Sequence, residues 1–121
     1  MPNPFTGDPK NFDPEKDFHS ELSGHCLCNS IPMTTKDQEL FSKRRGHLWH
    51  CANCRKASGS LYGANLIIEE EKVTIEDRNG TLKDYMDYEP SGGTPMTRSF
   101  CSTCGKYMLH YKSPTPLLII D

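Results

Sequence analysis

A chain of 121 residues with 35% hydrophobic content is sized for one domain with a modest core. Its formal net charge of -2 leaves no excess of cations for nucleic acid. A mean hydropathy of −0.67, with no aliphatic stretch longer than Leu117 to Ile120, predicts a soluble chain with no membrane span. Residues Met1 to Lys10 lack a basic start followed by an apolar run, so a secretory leader is not expected. The setting this predicts is reducing: the cytoplasm, with the nucleus as the open alternative.

Taken in chain order, residues 1–23 read as an irregular lead-in, with four prolines and scattered Phe5, Phe12 and Phe18. The domain proper is predicted over 24–121. Cys26-x-Cys28 precedes a possible strand, and the Thr34 to Arg45 stretch shows no clear period. Within it, Lys43-Arg44-Arg45 reads as a solvated loop. Gly46 to His50 leads into Cys51-x-x-Cys54. Tyr62, Ala64, Leu66 and Ile68 then alternate with Gly63, Asn65 and Ile67, which predicts a half-buried strand, and Val73 and Ile75 continue the period of two. A turn is expected at Asn79-Gly80. Leu82 to Tyr88 fits strand or helix. After a Ser91-Gly92-Gly93 loop, Thr97 to Phe100 leads into Cys101-x-x-Cys104, and Tyr107, Leu109 and Tyr111 alternate with Met108 and His110. Pro114 and Pro116 punctuate the end. Several strands between turn signals, without a long helix, repeat or second domain, predict an all-β fold of antiparallel strands.

The three close pairs use all six cysteines. A Cys-x-x-Cys segment can turn back so that both sulfurs face one point, and two such clamps complete a tetrahedral zinc shell. Disulfides within the pairs would close only tiny loops and remove little unfolded-state entropy, which makes them poor frameworks. One closed metal site leaves two sulfurs over. In Cys101-Ser102-Thr103-Cys104-Gly105 the glycine permits the positive φ that aims amides at sulfur. Asn29, after Cys28, is the next most tolerant residue for that conformation.

Three segments together, Cys26-Leu27-Cys28, His50-Cys51-Ala52-Asn53-Cys54-Arg55-Lys56-Ala57-Ser58-Gly59 and Arg98-Ser99-Phe100-Cys101-Ser102-Thr103-Cys104-Gly105, resemble the glutathione-dependent formaldehyde-activating enzyme family, which includes centromere protein V. The resemblance runs from about Gly24 to about Tyr111. It implies a β-tent fold of packed antiparallel sheets and a structural zinc shared by Cys26, Cys28, Cys101 and Cys104. A second, catalytic zinc is implied at the middle segment, with Cys51 and Cys54 as its ligands here. There a metal-bound thiol would be deprotonated and made nucleophilic, the chemistry of a carbon–sulfur lyase acting on glutathione or a related thiol adduct. Arg55 and Lys56 would meet the glutathione carboxylates.

Three positions depart from the family pattern. Trp49 stands where the family has the first cysteine of Cys-His-Cys-x-x-Cys; Asn29 replaces a glycine; and the chain ends at Leu117-Leu118-Ile119-Ile120-Asp121, where members commonly continue with further strand. His50, His47 or His110 could supply a nitrogen in place of the missing sulfur, and Trp49 itself is expected to pack in the core with its N–H on a carbonyl. Arg98 and Lys106 are expected to offset the charge of the four outer thiolates. Two classes of function follow: a zinc-dependent lyase on a small thiol adduct, or a zinc-stapled binding or scaffold module without the catalytic metal. A redox dithiol at Cys51 and Cys54 is a third reading, with Arg55 and Lys56 lowering a thiol pKa.

Overall fold

The computed structural model describes residues 20–40, 42–88, 93–112 and 115–120. The lead-in phenylalanines, Ser91 and Gly92 of the expected loop, Pro114 and Asp121 lie outside the described residues. Among the described residues the architecture is all-β, built from two antiparallel sheets and one short α-helix.

The smaller sheet has three strands in the order β1 (Glu21–His25), β2 (Pro32–Lys36), β5 (Val73–Ile75). The larger has six, in the order β3 (Gly46–Trp49), β4 (Gly63–Glu69), β9 (Leu117–Ile120), β8 (Tyr107–Tyr111), β7 (Met96–Cys101), β6 (Leu82–Asp87). Helix α1 (Ala52–Ser58) bridges β3 and β4 and ends at Gly59, whose φ of 65° is the left-handed turn that stops it. The ambiguous segment at Leu82 is therefore a strand, paired along its length with β7 from Leu82↔Cys101 to Asp87↔Met96. β9 is an interior strand held by β4 and β8, although four aliphatic residues carry no period that would have marked it.

The core lies between the sheets. Met33 comes from the small sheet, Cys101, Met108, Leu109 and Leu118 from the large one, and Cys26 and Ile31 from the β1–β2 turn. Val73, Ile75, Leu82 and Ile120 pack around them. β8 buries Met108, Leu109 and His110 in succession, so both of its faces are covered and its alternation does not sort inside from outside. β4 differs from expectation in another way: Asn65 is buried and Ala64 exposed, so the inward face at its start is the polar one.

Arg45 is buried rather than solvated, at 4% exposure. Its guanidinium donates to Leu40 O at 2.9 Å, Asp37 Oδ2 at 2.7 Å and Glu69 Oε2 at 2.8 Å. Lys72 adds a contact to Asp37 at 2.8 Å, and Lys43 one to Glu69 at 3.1 Å. This cluster ties the β2–β3 connection to the end of β4. Glu69 is held down to about 2, first by its own backbone N–H and then by Arg45 and Lys43; Asp37 is lowered first by its hydrogen bond from Lys72.

Both carboxyl groups bind protons less readily folded than unfolded, so their contribution is complete above the unfolded value and is lost as the pH falls through the folded one. The thermal midpoint is therefore expected to drop between pH 4.5 and about 2. Arg45→Met should flatten that dependence while lowering the midpoint at neutral pH. A midpoint indifferent to pH across this window in the unaltered protein would dismiss the cluster as a stabilising element.

Candidate metal centre and the middle cysteine pair

Two turns of similar construction carry the outer cysteines. In the β1–β2 turn the N–H of Asn29 donates to Cys26 O at 3.0 Å, and Cys26 N–H to Ile31 O at 3.3 Å. In the β7–β8 turn the N–H of Gly105 donates to Cys101 O at 2.8 Å, and Cys101 N–H to Lys106 O at 3.0 Å. The residue after the second cysteine is left-handed in each, with φ of 61° at Asn29 and 77° at Gly105. This is the backbone the two sequences were expected to adopt, and Asn29 takes it because its short amide tolerates that region.

The sulfurs of Cys26, Cys28, Cys101 and Cys104 all lie within 4.8 Å of one another. Cys28 Sγ is 3.6 Å from Cys26 Sγ and 3.7 Å from Cys101 Sγ. Metal–sulfur bonds of about 2.3 Å at tetrahedral angles set edges of about 3.8 Å, so these distances fit one four-thiolate ion. Cys26 and Cys101 are fully buried. Cys101 is pushed down to about 6, first by the Thr81 hydroxyl beside it and then by the Cys104 backbone N–H. Cys104 is lowered first by the Lys106 backbone N–H, whereas burial raises Cys26. Amides and a hydroxyl thus supply much of the compensation expected from cations. Arg98 is committed elsewhere, to Asp87 Oδ2 at 2.8 Å and Tyr107 Oη at 2.9 Å, and the Lys106 ammonium donates to the Tyr107 carbonyl.

The middle pair is built differently. Cys51 is the N-cap of α1, its sulfur accepting the Cys54 N–H at 3.0 Å, and it is joined to Cys54 as a disulfide across a Cα separation of 5.1 Å. The pair sits on a helix, not at a strand end, and no long apolar period announced seven helical residues. Cys51 is half-buried and Cys54 buried. Among the described residues, no third His, Cys, Asp or Glu joins them in a metal-holding cluster. His47 is exposed against Trp49, His50 is exposed against Tyr62, and His110 is buried with Nδ1 2.8 Å from Tyr107 Oη. Two sulfurs bonded to each other do not fit a resident metal, which needs at least three fixed protein donors.

Trp49 packs edge-on to His110, with ring centroids 6.2 Å apart. Its buried Nε1 has no hydrogen-bond partner among the described residues, so the expected carbonyl is not found. Beside α1 lies a cavity of about 610 Å³ lined by Asn53, Lys56 and Ala57 of the helix and by Tyr85, Asp87, Tyr88 and Arg98. A second, of about 460 Å³, has Lys56 on one side and Lys106 and Tyr107 on the other. Lys56 lines both; Arg55 is exposed and lines neither. Sequence reasoning missed Asn53 and Asp87, whose side chains are joined at 3.1 Å and tie the helix to β6. The aspartate in Tyr-Met-Asp-Tyr carried no signal beyond an ambiguous period.

Four cysteines at a spacing that could hold one metal ion thus join the two antiparallel sheets of a β domain. The model of the glutathione-dependent formaldehyde-activating enzyme family matches residues 21–120, and the chain belongs to that family. The crystal structure of a Rhodobacter sphaeroides protein, a structural-genomics target, superposes with a TM-score of 0.61 at 19% identity, covering 83% of this chain and 84% of that one. At that identity the likeness is one of fold. No curated protein matches the chain in sequence comparison.

Elemental analysis of the folded protein is expected to find one tightly held divalent ion per chain. Cys101→Ser should lose that ion and most of the β-sheet circular dichroism, because metal binding is folding energy in a domain of this size. A variant that stays folded with unchanged metal content would remove the centre from the account.

Proposed function

We propose that this protein is a zinc-stapled carbon–sulfur lyase of the family type, acting on glutathione or a related small thiol adduct of a formaldehyde-type carbonyl at the thiolates around Cys51 and Cys54. Zinc is the ion assigned to the four outer sulfurs, since a tetrahedral all-thiolate set suits a closed-shell cation without geometric preference. Family membership supports the substrate class. The observation that carries the site is the composition of α1: it brings Cys51 and Cys54 in its first turn and Lys56 onto the shared rim of two cavities. A reactive sulfur and a cation for a carboxylate thus ride on one short element. Arg55 adds a second exposed cation next to it. Such chemistry belongs to a glutathione-rich reducing compartment, the cytosol in the first instance.

The cleavage can be written with this chain's own groups. A base takes the hydroxyl proton of the hemithioacetal, the O–H electron pair forms the carbonyl, the carbon–sulfur pair leaves on sulfur, and the released thiolate recovers the proton. With the pair reduced, Cys51, at the N-cap of α1, is the base. No step passes through a second metal.

A second reading, a zinc-stapled binding module without catalysis, is supported by Trp49, which stands two residues before Cys51 where the family resemblance implies a further cysteine.

Exchange spectroscopy on glutathione and formaldehyde, with reduced protein added, separates the two. Acceleration above buffer that disappears in Cys51→Ser and weakens several-fold in apparent affinity in Lys56→Ala is expected for the lyase. Buffer-level rates with glutathione still bound would leave the binding module. Trp49→Cys restores a third sulfur and is expected to raise the metal content from one ion per chain toward two.

A further inference from the structure

The six sulfurs divide into two chemical states. Four are free thiols gathered at metal-binding spacing, and the other two are bonded to each other. We propose that Cys51 and Cys54 form a redox pair that exchanges electrons with small anionic thiols, making the protein a thiol–disulfide oxidoreductase toward low-molecular-weight thiols and disulfides. The inference does not depend on adduct cleavage, since it uses the disulfide state that cleavage does not.

Three observations carry it. The pair is unequal in access: Cys51 is half-buried and Cys54 buried, so an incoming sulfur meets Cys51 and leaves Cys54 as the resolving thiol. The backbone around the pair is fixed by hydrogen bonds that do not involve the sulfur–sulfur bond. Arg55 N–H donates to Cys51 O at 3.0 Å, and Gly59 N–H closes the far end of the helix on Arg55 O. The two Cα atoms stand 5.1 Å apart, within disulfide range, on backbone whose hydrogen bonds do not require the sulfur–sulfur bond. Finally, no third donor gathers there among the described residues, so a metal does not compete for both thiolates. The exposed charges of Arg55 and Lys56 beside the pair suit an anionic thiol such as glutathione.

The exchange balances in two displacements. A thiolate RS⁻ attacks Cys51 Sγ; the Cys51–Cys54 bond breaks, and its electron pair leaves on Cys54 Sγ, which takes a proton. A second RS⁻ attacks the RS sulfur of the mixed disulfide, releasing RSSR and the Cys51 thiolate. Two thiols are oxidised to one disulfide, and the protein disulfide is reduced to a dithiol. The reverse sequence oxidises the protein with RSSR as the oxidant.

The test uses the full chain with its metal bound, equilibrated in buffers of graded reduced to oxidised glutathione, quenched by alkylation and read by intact mass and peptide mapping. The expected result is one reversible transition that adds two labels, both on Cys51 and Cys54, with metal content unchanged. In Cys54→Ser, oxidised glutathione should leave one glutathione on Cys51; in Cys51→Ser, adduct formation on Cys54 should be at least about tenfold slower. A labelling state that ignores the buffer ratio, labels falling on the four outer cysteines, or equal adduct rates in the two variants would each overturn the proposal. The titration of the unaltered protein needs no variant to fold.

Discussion

The four outer sulfurs are the joint on which the architecture depends. Cys26 and Cys28 leave the small sheet at the β1–β2 turn, Cys101 and Cys104 leave the large sheet at the β7–β8 turn, and the four meet at the edge of the core between them. The described core is short of large aliphatic side chains, and two of its fully buried members are the cysteines themselves. Without an ion, Cys26 and Cys101 would be buried thiols in no more than van der Waals contact with Cys28, contributing little cohesion. With one, the same residues would cross-link two sheets that no strand pairing connects among the described residues. The repeated turn geometry, with a left-handed residue after the second cysteine, delivers both sulfurs of a clamp to one point.

A second device holds α1 in place. Asn53 donates to Asp87, Asp87 pairs with Arg98, Arg98 donates to Tyr107 Oη, and that hydroxyl lies 2.8 Å from His110, against which Trp49 packs. The run crosses the helix, β6, β7, β8 and β3. Its central ion pair is 7% exposed on both sides. A pair so buried repays its desolvation only when further hydrogen bonds satisfy both partners, which Asn53 and Tyr107 do here. Breaking one member leaves the other charged and unpaired, so the chain constrains geometry more than it adds net stability. What it constrains is the helix carrying Cys51, Cys54 and Lys56.

How much of this was legible in the sequence follows from the range of each signal. The clamps could be read because their chemistry is local: cysteine spacing and the residue after it decide the turn. β5 and β8 were legible as strands because their apolar residues alternate. β9 was not, since a run of four aliphatics bounded by a proline is equally a tail or an interior strand, and only pairing on both sides distinguishes them. α1 lacks apolar periodicity because only Cys54 of its residues is buried. The fates of Arg45 and Arg98 were illegible for a different reason. An arginine in sequence is a charge, and whether it is solvated depends on carboxylates such as Glu69 and Asp87 brought beside it by strand pairing.

Trp49 bears directly on what the middle pair can hold. An indole cannot donate to a cation through its ring nitrogen, so the position that would have added a third sulfur adds only bulk and a buried N–H. Two thiolates left without a third ligand have two outcomes: a weak, exchangeable metal, or, with a small disulfide RSSR taking up the two electrons, a bond to each other. A separation of 5.1 Å between Cα atoms makes the second available without moving the backbone. On the redox reading proposed above, the chemistry of this pair answers to the ratio of thiols to disulfides around it, and not to a resident metal.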